Sequence, residues 1–185
     1  MGLSFLLTLL FGPAPLGYGH LEILTNIKSG NDEENRHIST WLRHHFTVDD
    51  PQAYEEMMIH LRRDDGALVY LNGTLVLQSN LPADATTETL AVEPIEDDAE
   101  ALFVSESLDP TMLLQGDNVL AIELHQASAD SDDLLVDFVL EVQGGQDLIR
   151  SGESWQWSTD EPIDWTQAHF DASQWDSGIS PLGYG

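Results

Sequence analysis

Arg63-Asp64-Asp65-Gly66 sets two consecutive carboxylates at the end of one apolar run and just before the next, Ala67 to Leu71. Carboxylate oxygens at a strand end are hard ligands suited to calcium, and a bound cation can in turn hold the vicinal hydroxyls of a sugar. The same residues also suit a tight turn, with Gly66 supplying positive φ and the aspartates capping it. A second acidic loop, Asp130, Asp132 and Asp133, crowds like charges that a cation would relieve, although its spacing is not that of an EF-hand. The bland reading is a solvated loop. His125-Gln126 closes a further apolar run and offers hydrogen-bonding groups to a ligand or to a neighbouring loop. Trp155 and Trp157 share one face of a strand, as a sugar-stacking platform or as a buried face.

Catalytic signatures are missing from the sequence. It contains no HExxH, GxSxG, GxxxxGK[ST] or GxGxxG, and its seven histidines lack ligand spacing. His44 and His45 are adjacent on a strand, so they point to opposite faces and do not chelate one metal together. No catalytic residue is expected.

The elements that must position these groups are short strands. Ile38 to Val48 alternates, with Leu42, His44, Phe46 and Val48 on one face and Trp41, Arg43, His45 and Thr47 on the other. Tyr54 to Arg62, Ala67 to Leu71 and Thr74 to Gln78 follow, the last two joined by Asn72-Gly73, whose tolerance of positive φ marks a hairpin. Ala101 to Ser105, Asn118 to His125 and Leu134 to Val142 are further strands, with one short turn at Pro110 to Leu114. This succession predicts an all-β, antiparallel β-sandwich.

GPAPLGYG at Gly12 to Gly19 returns as GISPLGYG at Gly178 to Gly185. The step from Pro15 to Pro181 exceeds any solenoid repeat and suits a whole sandwich domain. The expected organisation is an apolar stretch over 1–11, a sandwich lacking its opening strand over 12–143, a linker over 144–152 and the opening segment of a second copy over 153–185. That last segment should fold back and complete the sandwich in circularly permuted fashion, or fill a neighbouring chain's vacancy in a domain-swapped assembly.

The chain of 185 residues carries 33 acidic and six basic side chains, a formal charge of −27, and no cysteine. Nucleic acid and anionic membrane surfaces are repelled by such a surface, which suits a salty extracellular setting. Disulfide frameworks, thiol catalysis and zinc–thiolate sites are excluded.

The series WLRHHFTVDDP, RRDDGALVYLNG, SNLP, LDPTMLLQGDNVLAIELHQ and VDFVLEV resembles the galactose-binding-like jelly-roll module of secreted bacterial multidomain proteins, such as metallophosphoesterases and lamin-tail or spore-coat-type surface proteins. In that family a Trp-rich strand, a Phe-Asp-x-Ser-x-Trp segment and PLGYG open the module, and here they stand at Trp155 to Gly185. The resemblance implies an extracellular, non-catalytic accessory role beside neighbouring domains. Asp-Asp-Gly followed by a strand and an Asn-Gly turn is also similar to protective-antigen-type lectin-like domains, whose paired aspartates bind calcium and sugar. By that analogy Asp64 and Asp65 are the expected metal ligands, with Asp130 and Asp132 second. Asp64, Asp65, Asn72, His125 and Gln126 are then the expected glycan contacts. The alternatives are a structural spacer with no ligand, or a fragment of a phosphoesterase whose catalytic domain lies elsewhere.

Overall fold

The computed structural model describes residues 23–27, 36–144 and 146–184. Twelve strands are present among them: β1 (Thr25–Asn26), β2 (Ser39–Val48), β3 (Met57–Asp64), β4 (Gly66–Leu71), β5 (Thr74–Ser79), β6 (Val104–Leu108), β7 (Gly116–His125), β8 (Leu134–Val142), β9 (Gln146–Ile149), β10 (Ser154–Ser158), β11 (Asp176–Ile179) and β12 (Leu182–Tyr184). They form two six-stranded sheets. One runs β1-β12-β8-β3-β6 with β9 also on β8, and the other runs β11-β10-β2-β7-β4-β5. All pairings are antiparallel except β1 with β12. The expected β-sandwich is therefore the observed fold.

Alternation along β2 explains how the sheets meet. Leu42, Phe46 and Val48 enter the core shared with Ile59, Leu61, Val69, Ile122, Phe138 and Leu140. On the opposite face of the same sheet, Trp41 joins Val119, Ala121 and Trp165 in a second cluster, covered by Tyr70, Phe170 and Trp175. Burying large side chains on both faces is what fixes the register of this sheet, because a one-residue slip would exchange the two sets.

Residues 154–184 belong to the same sandwich. β10 pairs with β2 at Trp157↔Leu42, and β12 pairs with β8 at Leu182↔Val136. Trp155 and Trp157 are core residues at 2% and 4% exposure, which makes them the buried face of β10 and not a platform open to a sugar. The first copy of the repeat lies outside the described residues.

Three local expectations need correction. The segment 144–152 is not only a linker, since Gln146–Ile149 forms β9 along the end of β8. The strand expected from Tyr54 begins at Met57, because Asp50 caps a 3-10 turn over Pro51–Ala53 first. The strand expected over Ala101 to Ser105 is Val104–Leu108, placed there by its pairing with β3.

Candidate functional site

β3 ends in Asp64 and β4 begins at Gly66, so Asp64 and Asp65 stand at one end of the sandwich, where β7 also ends and β8 begins. The peptide between them is cis. Asp64 is 1% exposed and Asp65 3%. Both oxygens of Asp65 are committed: Oδ1 accepts the Ile95 N–H at 2.6 Å and Oδ2 the Ala127 N–H at 2.7 Å. Its backbone carbonyl accepts from Asn80 Nδ2 at 3.2 Å. Asp65 thus pins two loops to one strand end.

Asp64 has a different environment. Burial, then the hydrogen bond and charge of Asp65, push its carboxyl up to about 9, so it holds a proton at neutral pH. Its Oδ2 is buried with no hydrogen-bond partner. Tyr184 reaches the same end, where its hydroxyl, pushed up to about 12 mainly by burial, receives Gln126 Nε2 at 3.0 Å. Gln126 Nε2 also donates to the Asp133 carbonyl at 2.8 Å.

Calcium wants six to eight oxygens. Both Asp65 oxygens are already taken by backbone N–H groups, which leaves the pair far short of that number, and among the described residues no three His, Asp or Glu side chains form a metal-ligand group. The pair as arranged does not fit that ion's coordination. The loop carrying Asp130 and Asp132 already has a cation: the Arg36 guanidinium donates to the carbonyls of Asp130 and Ser131.

His125 is fully buried, with Ser39 Oγ 3.3 Å from its Nδ1 and Glu123 Oε1 3.4 Å from its Nε2. This serine–imidazole–carboxylate series has its hydrogens directed elsewhere. Ser39 donates to the Thr87 carbonyl, and Nδ1 faces the Thr89 carbonyl at 2.7 Å and so must carry a proton. The imidazole nitrogen beside Ser39 has no lone pair left to take its proton, and the group holds down the 80–95 loop.

Of the expected glycan contacts, the fold gathers Asp64, Asp65, His125 and Gln126 at this end. Asn72 is at the other, as the φ 51° residue of the β4–β5 hairpin. Its Nδ2 donates to Met112 O and Asn118 Oδ1, and its Oδ1 accepts the Val119 N–H at 2.9 Å. Asn118, fully buried, binds both the N–H and the carbonyl of Leu114. This amide pair fixes the loop between β6 and β7.

That loop forms one wall of a cleft of about 830 Å³ that was not foreseen as a site. The opposite wall is the turn after β2. Each wall is an Asp-Pro 3-10 turn: Asp50 Oδ1 accepts the Gln52 N–H at 3.0 Å, and Asp109 Oδ1 the Thr111 N–H at 2.9 Å. Tyr54, Glu55 and Gln115 complete the lining. Bonding by the Thr111 amide and hydroxyl holds the Asp109 carboxyl below the usual carboxylate range.

No known protein family and no curated protein matches the sequence. Solved structures with a similar fold do exist. The α-L-rhamnosidase of Streptomyces avermitilis, complexed with L-rhamnose, is 19% identical over 78% of this chain and 13% of its own, with a TM-score of 0.55. The α-L-rhamnosidase of Aspergillus terreus gives 17%, 77%, 19% and 0.55 for the same quantities. A GH78 family rhamnosidase of Bacillus sp. GL1 gives 16%, 82%, 18% and 0.50. At these identities the likeness is one of fold, and the chain spans less than a fifth of each enzyme.

Proposed function

We propose that this chain is a non-catalytic, extracellular β-sandwich accessory module of a larger carbohydrate-active protein, and that it contacts glycan. One observation carries the reading: most of the sandwich matches a small segment of several α-L-rhamnosidases, 13% to 19% of their length. Recurrence of the fold as one part of such enzymes supports a place beside a carbohydrate-active domain, although fold alone never assigns a ligand. The commitment of Ser39 and His125 to backbone carbonyls supports a role without turnover. An acidic surface with six basic residues disfavours nucleic acid and anionic lipid as partners and is neutral towards uncharged sugars.

The test is retention of the intact chain in native gels cast with rhamnose-containing polysaccharide, with a β-glucan and with neither. Retardation in the rhamnose-containing gel is the expected result. Equal mobility in every gel would make the module a spacer that only positions its neighbours.

A further inference from the structure

We infer that the cleft between the two Asp-Pro turns, and not the Asp64–Asp65 end, is where this module takes a neutral, hydroxyl-rich sugar ring. The inference rests on the proposed function and locates it.

Access separates the two ends. Asp64, Asp65, His125 and Gln126 are all at or below 3% exposure, so a ligand would have to open the sandwich to touch them. In the cleft, Asp50, Gln52, Asp109, Thr111 and Gln115 are exposed and Tyr54 is half-buried. The volume of about 830 Å³ falls within the size range of small-molecule sites, ~300–1,000 Å³.

The chemistry of the lining selects the class of ligand. Carboxylates accept hydrogen bonds from adjacent hydroxyls and side-chain amides accept and donate them, and Tyr54, which lines the cleft while packing against the core, adds apolar surface for the C–H side of a pyranose. Anions are disfavoured by Asp50, Glu55 and Asp109, and by the overall charge. A bare cation finds no convergent set here, since Asp50, Glu55 and Asp109 are not a metal-ligand group.

Both walls are set before a ligand arrives. Pro51 and Pro110 fix φ at the first position of each turn, and the turns close with Tyr54 N–H to Pro51 O at 3.4 Å and Leu113 N–H to Pro110 O at 3.0 Å. Gln115 Nε2 ties the walls together by donating to the Asp49 carbonyl at 3.0 Å. The Asn72–Asn118 pair holds the second wall from below. A shallow polar site gains affinity from such pre-organisation, because little ordering remains to be done on binding.

Amide chemical shifts of the full chain, titrated with L-rhamnose, D-galactose and D-glucose, test this. Shifts should concentrate at 49–55 and 109–116, and Gln52→Ala and Tyr54→Ala should each weaken binding about tenfold or more. Gln52 is on the surface, so its variant keeps the test valid if Tyr54→Ala misfolds. Asp130→Ala, at the far end, should bind as the parent does. Shifts centred on Asp64 or on the Trp41 face, with affinity unmoved by Gln52→Ala, would overturn the cleft and keep the glycan reading. No shift with any sugar, together with no retardation in polysaccharide gels, would overturn both.

Discussion

Gly183 lies against the backbone of Leu134 so closely that a Cβ on it would stand 1.7 Å from the Leu134 carbonyl oxygen. The obstacle is main chain in a paired strand, which has no rotamer to retreat into. Gly183→Ala should therefore prevent β12 from docking on β8 and leave a chain without a cooperative melt. A variant melting within a few degrees of the parent would show that β12 is dispensable.

Truncation after Gln143 removes β9 to β12 and with them Ile149, Trp155, Trp157, Leu182 and Tyr184 from the core. Each large apolar side chain contributes roughly 1.5–3 kcal/mol on burial, and a typical domain has only about 5–15 kcal/mol to lose. The shortened chain should aggregate or bind a hydrophobic dye, and a peptide covering 144–185 should restore solubility. A soluble, cooperatively melting truncation would contradict this.

The raised Asp64 carboxyl makes stability depend on pH in a definite direction. Its ordinary value is 3.8 and its value in the fold is about 9. Between those limits the folded chain holds a proton that the unfolded chain has released, so stability falls as pH rises. The contribution is fully present below 3.8 and is lost on passing through about 9. Asn mimics the neutral acid, and the melting temperature of Asp64→Asn relative to the parent should climb steadily from pH 5 to pH 9. A constant difference would mean that Asp64 is ionised throughout.

The Asp64–Asp65 pair as arranged does not fit calcium, so melts in calcium and in chelator should superimpose at pH 6 and at pH 9. A gap that widens from pH 6 to pH 9, as an ion displacing the Asp64 proton would give, would contradict that reading.

Much of the fold was legible because the relevant signals are local. Alternation in Ser39–Val48 separates Leu42 and Phe46 from Trp41 and Arg43, and Asn72-Gly73 marks the hairpin that the structure contains. β9 was not legible: four residues between Gly144 and Gly152 read as linker until the end of β8 offers them an edge. The acid pair was visible as a strand end. Its burial depends on Ile95 and Ala127 arriving from distant loops, which no spacing reveals. The cleft is harder still, since its walls come from separate segments that meet only when β2 and β7 pair. The one signal was the recurrence of Asp-Pro at Asp50 and Asp109, the second of which reads alone as the start of a short turn.

Titration calorimetry of the intact chain with rhamnose-terminated oligosaccharides, run beside an assay for release of p-nitrophenolate from p-nitrophenyl α-L-rhamnoside, addresses the function most directly. Saturable heat with a Kd between about 10 μM and 10 mM, and no release of p-nitrophenolate, is what a binding module without turnover should give. Absence of saturable heat from a folded sample, or hydrolysis that purified chain sustains and that Ser39→Ala abolishes, would contradict it.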